Sequence, residues 1–259
     1  IDSGQSQIEN TGLTIVAIGA SAGGLEALEA FFNAVSEDLK AAFVVIMHLD
    51  PKRKSELAEV LELTTGYAFT EITDGMPVQA HHFYILPPAK VATIEGLIFR
   101  LNDIDGRLAR FPIDTFFHSL GESIETKAVG VILSGTGNDG SKGLLAIKRN
   151  QGLVLAQDES AKRCEMPQNA IATEMVDLVL PADKMPSIIA DYVRLPRTYV
   201  QPEQPLSDIS LLSVLQKILA FLCARTGHDF SSYKSSTILR RIQRRVLFCQ
   251  QKSIADYLA

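Results

Sequence analysis

The sequence predicts an α/β fold: a doubly wound, mostly parallel sheet with helices on both faces and a small antiparallel insertion, followed by a small all-α domain. Amphipathic stretches alternate with strand-like runs along most of the chain, which is typical of layered α/β proteins. After a proline-rich segment the pattern is helical only. The strand-like runs are almost continuously apolar, as in strands buried on both faces of a parallel sheet, and they occupy 13–19, 42–47, 128–134, 152–157 and 176–180.

The helices are predicted from apolar residues at helical spacing. In 24–36, Leu25, Leu28, Phe32 and Val35 follow one another at i, i+3, i+7 and i+10, so they share one face. Helices that alternate with parallel strands imply right-handed crossovers. The same apolar spacing predicts further helices over 54–63, 113–126, 139–150 and 183–194.

The stretch 68–101 interrupts this alternation. Its apolar runs FTEI, HFYILP and VATIEGLIFRL are short and bounded by turn residues, with Glu95-Gly96 as a turn. Such runs are typical of hairpins, so we expect short antiparallel strands here.

The last part of the chain is predicted to be a separate helical unit. Residues 195–208 contain three prolines and indicate a linker. Helical patterns follow over 209–227, 233–248 and 253–259. The predicted organisation is therefore a domain over 12–194, a linker over 195–208 and a helical domain over 209–259. About fifty residues are few for an independent core, so we expect the parent protein to continue beyond this piece.

The composition excludes several classes of protein. Of the 259 residues, 46% are hydrophobic and 21% are charged, as in soluble globular proteins. No uncharged apolar run approaches the ~18 residues of a membrane span, and the N-terminus lacks the features of a signal peptide. A net charge of −5 argues against general nucleic-acid binding. Three widely spaced cysteines suit neither a disulfide framework nor a zinc site, so we expect a reducing, cytoplasmic setting and no metal.

The clearest local motif is IGASAGG, where a buried strand runs through glycines into a helix. In one interpretation Ser21 is a nucleophile on a tight strand-to-helix turn of the G-x-S-x-G form. In a second, the glycines hold a phosphate or dinucleotide at the helix N-terminus. In a third, the segment is a plain turn with Ser21 as the helix N-cap.

Two further strand ends favour the nucleophile. His48 follows strand 42–47 directly and suits a general base, although Asp50 could serve as the acid of a dinucleotide site. Asp139 follows strand 128–134 at a predicted helix start, where we expect it to stay ionised and able to orient an imidazole. An N-cap role for Asp139 remains open. The carboxyl ends of parallel strands open into one crevice, so Ser21, His48 and Asp139 are candidates for a catalytic triad.

The motifs IGASAGG, VIMHLDP, RFPIDTFFHS, LSGTGNDG and MPQNAIATEMVDLVLP, in this order, resemble the catalytic domain of the chemotaxis protein-glutamate methylesterases. That family hydrolyses glutamyl methyl esters on the cytoplasmic helices of chemoreceptors, can deamidate receptor glutamines and needs no cofactor. The resemblance implies that Ser21, His48 and Asp139 are catalytic, and that the backbone of Thr136 contacts the oxyanion.

This chain departs from the family pattern at two positions. Met47 stands where the family usually has Gln, and Thr136 stands where it usually has Met. The change at Thr136 should matter little, because a backbone N–H survives a change of side chain. The change at Met47 removes the Gln amide, a polar partner near Ser21, and therefore puts the reaction rate in more doubt. The family also carries an N-terminal receiver domain. Only about ten residues precede the first predicted strand, so we expect no such regulation within this chain.

The helical end of the chain contains a basic face. Arg241, Arg244 and Arg245 lie at i, i+3 and i+4, which is also the pattern of a merely solvated face. However, TGHDFSSYKSSTILRRIQRRV resembles the N-terminal helical domain of the chemoreceptor glutamate methyltransferases. The resemblance implies that these arginines bind the receptor, and that the parent protein fuses the esterase to a methyltransferase that uses S-adenosylmethionine.

Two other functions compete with the esterase. A nucleotide-dependent oxidoreductase would use IGASAGG for its cofactor, but the chain lacks the Tyr-x-x-x-Lys pair of the short-chain dehydrogenases. A catalytically silent sensory scaffold would not require Ser21, His48 and Asp139 together. The sequence therefore favours a serine esterase that acts on chemoreceptor helices, with no nucleic-acid partner and no direct insertion into a membrane.

Overall fold

The computed structural model describes residues 12–47, 56–103, 111–194 and 209–226, together with the single positions 238, 242, 245, 246 and 254. The chain divides into two compact units, Ile1–Val193 and Arg194–Ala259, and each is described by itself.

The first unit is built on a parallel sheet of seven strands in the order β3-β4-β2-β1-β7-β8-β9. Every pairing between neighbouring strands of this sheet is parallel. Two further strands form a separate antiparallel hairpin. The strands are β1 (Thr14–Ala20), β2 (Ala41–Met47), β3 (Phe69–Glu71), β4 (Phe83–Ile85), β5 (Lys90–Glu95), β6 (Ile98–Asp103), β7 (Ala128–Ile132), β8 (Leu153–Gln157) and β9 (Leu178–Leu180).

Helices cover both faces of this sheet, because the strand side chains alternate between two apolar layers. Val44 of β2 belongs to the same buried cluster as Phe117. Phe43, which precedes Val44 in β2, packs edge-on against Phe31 and Phe32 on the other face. The helices are α1 (Gly24–Asn33), α2 (Leu57–Thr65), α3 (Pro112–Ile124), α4 (Gly143–Arg149), α5 (Glu165–Ala172) and α6 (Met185–Arg194), with short 3-10 turns at Glu125–Lys127 and Ala182–Lys184.

The predicted fold class is confirmed, with one correction in the insertion. Only VATIEGLIFRL forms the expected antiparallel hairpin, and it turns at Gly96-Leu97. The runs FTEI and HFYILP become β3 and β4, which are parallel strands of the main sheet. The prediction was wrong here because Phe83 stacks on Phe43 at 5.1 Å between ring centroids, a long-range contact that the spacing of short runs does not reveal.

The strand order fixes where a site can form. The chain leaves β1 toward β2 on one side of the sheet and leaves β7 toward β8 on the other side. The carboxyl ends of β1 and β7 therefore bound the topological switch point, where open α/β sheets bind their ligands.

The second unit contains α7 (Ile209–Thr226) and a small apolar cluster. This cluster buries Leu215, Ile218, Ile242 and Val246. Arg245 is exposed, whereas the predicted linker 195–208 and the residues Arg241 and Arg244 lie outside the described residues. Within the described residues, no helix is long and apolar enough to cross a membrane.

Candidate active site

The turn after β1 presents Ser21 at the switch point. The N–H of Ser21 donates to the carbonyl of Ser134 at 3.0 Å, and the N–H of Gly24 donates back to the carbonyl of Ser21 at 2.8 Å. Ser21 is 9% exposed, so little more than one edge of it reaches the surface. The turn therefore holds one serine in a fixed position between the strand and α1.

Glycine at position 23 allows this turn to be tight. Gly23 has a φ of 71°, in the left-handed region, and a Cβ there would lie 2.9 Å from Cβ of Lys162. Gly23 is also the N-cap of α1. The interpretation of Ser21 as the helix N-cap is therefore wrong, because the cap position lies two residues later.

A second serine, Ser134, connects the Ser21 turn to the neighbouring strand ends by hydrogen bonds. Ser134 follows β7 and is completely buried. Its hydroxyl donates to the carbonyl of Ala22 at 3.1 Å and accepts the N–H of Arg163 at 2.9 Å. Its own N–H donates to Oε1 of the buried Gln157 at 2.9 Å. No motif or spacing marks Ser134 as part of the site, although it lies within LSGTGNDG.

Ser134→Ala is expected to lower the free energy of unfolding by about 1–3 kcal/mol, because it removes two partly buried hydrogen bonds, to the carbonyl of Ala22 and from the N–H of Arg163, each worth about 0.5–1.5 kcal/mol. Urea unfolding checks this value. Ser187→Ala removes an exposed hydroxyl whose hydrogen bond, to the carbonyl of Lys184, lies at the surface. It serves as the control and should change the free energy of unfolding by less than about 0.5 kcal/mol. Equal effects of the two changes would contradict the role given to Ser134.

Asp139 lies on the neighbouring loop and is held by three backbone donors. Its Oδ2 accepts the N–H of Ile113 at 3.0 Å. Its Oδ1 accepts the N–H groups of Asp114 and Gly140, both at 2.9 Å. The residue is 3% exposed. A carboxylate offers about four acceptor positions, so these donors fix its orientation without exhausting its capacity.

The helix next to Asp139 differs from the predicted one. The sequence placed Asp139 at the start of its own helix over 139–150, but α4 begins only at Gly143. The carboxylate instead caps α3, through Ile113 and Asp114. Asp139 thus lies at a helix N-terminus as expected, but the helix is α3 and not the one that follows Asp139 in the sequence. The free N–H groups of a helix N-terminus can be capped from a distant part of the chain.

Asp114 completes a reciprocal arrangement between the two helices. Its Oδ1 accepts the N–H groups of Lys142 at 2.9 Å and Gly143 at 2.7 Å, so an α3 side chain caps α4. Burial raises the pKa of the Asp114 carboxyl above its ordinary value, the hydrogen bond from Gly143 opposes this rise, and the negative charge of Asp139 adds to it. No local pattern marks Asp114 in the sequence, because its partners Lys142 and Gly143 lie far along the chain.

This raised pKa leads to a pH dependence of stability. A carboxyl whose pKa is higher in the folded state contributes stability at low pH that is lost as the pH rises through the folded value. Asp114→Asn keeps an acceptor for both N–H groups and removes the charge. Its free energy of unfolding, relative to that of the unmodified protein, is therefore expected to increase from pH 4 to pH 7. Urea unfolding across this range checks the sign, and a constant difference would contradict it.

The loop between Ser134 and Asp139 contains the candidate oxyanion contact. Thr136 is exposed, and its N–H takes part in none of the hydrogen bonds between described residues. The preceding residue lies close to Ser21, because a Cβ at Gly135 would lie 3.0 Å from Cβ of Ser21 and would overlap Met166. The backbone of this loop therefore passes directly beside Ser21.

The candidate base falls outside the described residues. His48 and Asp50 both lie in the segment 48–55. Met47, the last residue of β2, is paired in register with Ala20, the last residue of β1. His48 thus follows β2 in the sequence just as Ser21 follows β1. Among the residues that the structure does describe, no group of three His, Cys, Asp or Glu side chains could hold a metal ion.

Comparisons with known proteins cover both units. Residues 16–189 match the model of the CheB methylesterase family, and residues 213–259 match that of the CheR methyltransferase all-alpha domain. A crystal structure of the Thermotoga maritima CheB methylesterase catalytic domain is similar, with a TM-score of 0.64 and 30% identity. The match covers 69% of this chain and 97% of that one.

Two curated relatives show how the chain relates to longer proteins. A protein-glutamate methylesterase/protein-glutamine glutaminase of Leptospira interrogans is 34% identical over 186 residues, which cover 70% of this chain and 53% of the relative. An uncharacterized 104.1 kDa protein of Rhodobacter capsulatus is 32% identical over 223 residues, which cover 78% of this chain and 23% of the relative. The chain thus spans between about a quarter and about half the length of these two relatives.

Proposed function

The chain belongs to the CheB methylesterase family, and from this premise we propose that it is a serine esterase that hydrolyses glutamyl methyl esters on the cytoplasmic helices of chemoreceptors. One observation carries the proposal: a tight strand-to-helix turn presents Ser21 at the switch point, beside the loop that holds Asp139. The same site would deamidate receptor glutamines, since curated relatives are named both methylesterase and glutaminase. The esterase interpretation replaces the oxidoreductase alternative.

The proposed reaction uses Ser21, His48 and Asp139 as a triad. Oγ of Ser21 attacks the ester carbonyl carbon, and His48 accepts the hydroxyl proton. The proton then passes to the leaving methoxide, so methanol departs and an acyl-enzyme remains. Water, activated by His48, hydrolyses the acyl-enzyme to the glutamate carboxylate and free Ser21. Asp139 orients the imidazole and stabilises its cationic form.

The oxyanion of each tetrahedral intermediate is assigned to the backbone N–H of Thr136. Two observations support this assignment. Thr136 follows Gly135, which lies close to Ser21, and the N–H of Thr136 donates to no other described residue.

Met47 lies where the family usually has Gln, and its methyl group lies 3.8 Å from the position of a Cβ at Gly24. We expect this departure to reduce the rate without changing the reaction.

The proposal for the parent protein extends beyond this chain. We assign residues 209–259 to a receptor-binding part of a fused methyltransferase that uses S-adenosylmethionine, in accord with the match over 213–259. The esterase itself is proposed to need no cofactor and to act in the cytoplasm. Its partners are chemoreceptor helices rather than nucleic acid or the membrane.

The test of the substrate class is release of methanol from two helical peptides that differ only in the methylated residue. The full chain should release methanol from a peptide carrying a glutamyl γ-methyl ester faster than from one carrying an aspartyl β-methyl ester. Equal rates above background would identify an unspecific esterase. No release from either peptide would contradict the proposed function.

The receptor-binding role of the basic face is tested by charge reversal. Changing Arg241, Arg244 and Arg245 together to Glu is expected to weaken binding to an acidic receptor helix, and binding of the unmodified chain should itself weaken as salt rises. Hydrolysis of a small soluble ester should not change. Titration calorimetry or anisotropy at two salt concentrations measures the binding.

The matched control for this experiment reverses three exposed basic residues of the first unit, Lys40, Arg149 and Lys184, which changes the net charge by the same amount. If both triple variants bind as the unmodified chain does, the basic face is solvated surface only. If both lose binding equally, net charge and not this face determines the interaction.

A further inference from the structure

The segment Arg163–Asn169, which leads into α5 and includes its first five residues, contacts both sides of the loop assigned to the oxyanion. The N–H of Gly135 donates to the carbonyl of Arg163 at 3.0 Å, and the N–H of Met166 donates to the carbonyl of Gly135 at 3.0 Å. Nδ2 of Asn169 donates to the carbonyl of Gly137 at 2.8 Å. Thr136 therefore lies between two residues whose carbonyl groups are both held by α5.

One of these contacts, from the N–H of Met166 to the carbonyl of Gly135, determines the direction of the Thr136 N–H. The carbonyl of Gly135 and the N–H of Thr136 belong to one planar trans peptide group, so they point in opposite directions. Because the carbonyl is bound to Met166, the N–H must point away from α5. The peptide group after Gly137 is held in the same manner by Asn169.

The helix that makes these contacts is firmly anchored. The side chains of Met166 and Ala170 are completely buried, in the same apolar cluster as Ile132 of β7. Pro167 is buried as well. A rigid helix that holds a loop on one side can set the loop's geometry, whereas a mobile one could not.

We propose that Asn169 is a positioning residue for the esterase reaction: its side-chain amide holds the 135–137 loop so that the N–H of Thr136 is aimed at the oxyanion. This inference rests on the proposed function. Of the three hydrogen bonds between the loop and the Arg163–Asn169 segment, two come from backbone groups. Only the bond from Asn169 comes from a side chain and can be removed by substitution.

The expected consequence is a loss of rate without a loss of substrate binding. An oxyanion donor acts in the transition state more than in the ground state, so its displacement lowers kcat and leaves KM unchanged. Asn169→Ala is expected to lower kcat for a small soluble ester about three- to tenfold, the effect of one hydrogen bond. Asn169→Asp should lower it further, because the carboxylate cannot donate and repels the carbonyl of Gly137.

Gln168 supplies the matched controls. It is the preceding residue on α5, and its side chain is exposed. Gln168→Ala truncates the side chain as Asn169→Ala does. Gln168→Glu replaces the amide by a carboxylate as Asn169→Asp does. They should leave kcat within about twofold of the unmodified protein, in the range of an ordinary surface substitution.

The experiment measures kcat, KM and the urea midpoint for the full chain and these four variants, together with the rate of Ser21 labelling by a fluorophosphonate. Labelling also develops negative charge on an oxygen, so it should slow by the same factor as kcat. If the Asn169 variants match the Gln168 variants, or if only their urea midpoints fall, the proposal is overturned while the proposed function stands. An unmodified chain that neither hydrolyses esters nor labels at Ser21 overturns both.

Discussion

Ser21→Ala is expected to lower kcat for ester hydrolysis by about 10⁵–10⁶-fold, the loss expected when a triad nucleophile is removed. The reaction as proposed proceeds through a bond to Oγ of Ser21, and the methyl group of alanine cannot form that bond. The residual rate should come from oxyanion stabilisation and substrate binding alone. Methanol release from a glutamyl γ-methyl ester peptide measures the loss.

Ser187→Ala is the control for this change, because it removes an exposed hydroxyl elsewhere in the same unit. It should retain nearly the full rate. Ser21→Ala should also retain the peptide affinity of the unmodified chain, since removal of the hydroxyl takes away a reacting atom rather than a binding surface. Hydrolysis by Ser21→Ala at the unmodified rate would rule out this serine as the nucleophile.

Asp139→Asn is expected to lower kcat by about 10⁴-fold, which is the effect of the corresponding change in a serine protease triad. The amide of asparagine favours the wrong tautomer of His48, with its proton on the nitrogen that should accept one. Activity measured per mole of folded protein, with circular dichroism as the check on folding, isolates this effect. Activity close to that of the unmodified chain would exclude Asp139 from the triad.

The structure adds a second consequence to this substitution. Both oxygens of Asp139 accept backbone N–H groups, from Ile113 on one side and from Asp114 and Gly140 on the other. An asparagine can offer an oxygen to only one side and must turn its NH₂ group toward donors on the other. Asp139→Asn should therefore also lower the free energy of unfolding by about 1–3 kcal/mol.

The sheet was largely predictable from the sequence because its central strands are buried on both faces. β1, β2, β7 and β8 appear in the sequence as nearly continuous apolar runs, and each was predicted to within two residues at both ends. β3 and β4 are short edge-side strands. Phe83 of β4 packs against Phe43, and Phe69 of β3 packs against Phe83. Local pattern does not reveal these contacts, so the predicted antiparallel pairing was wrong.

Within the site, the sequence identified the residues at strand ends but not the residues that hold them. The glycines around Ser21 and the motif around Asp139 stand out locally, and the resemblance drawn from five ordered motifs is confirmed by the family match. Ser134, Asp114 and Asn169 act on residues more than twenty positions away. No periodicity or spacing rule connects such pairs, because the fold brings them together.

The central claim, that Ser21 is an activated nucleophile, is tested most directly by labelling the full chain with a fluorophosphonate and mapping the modified residue by mass spectrometry. We expect a single phosphonylated residue, Ser21, with labelling abolished in Ser21→Ala and retained in Ser187→Ala. Labelling that persists in Ser21→Ala, or that falls on another residue of the unmodified chain, would contradict the claim.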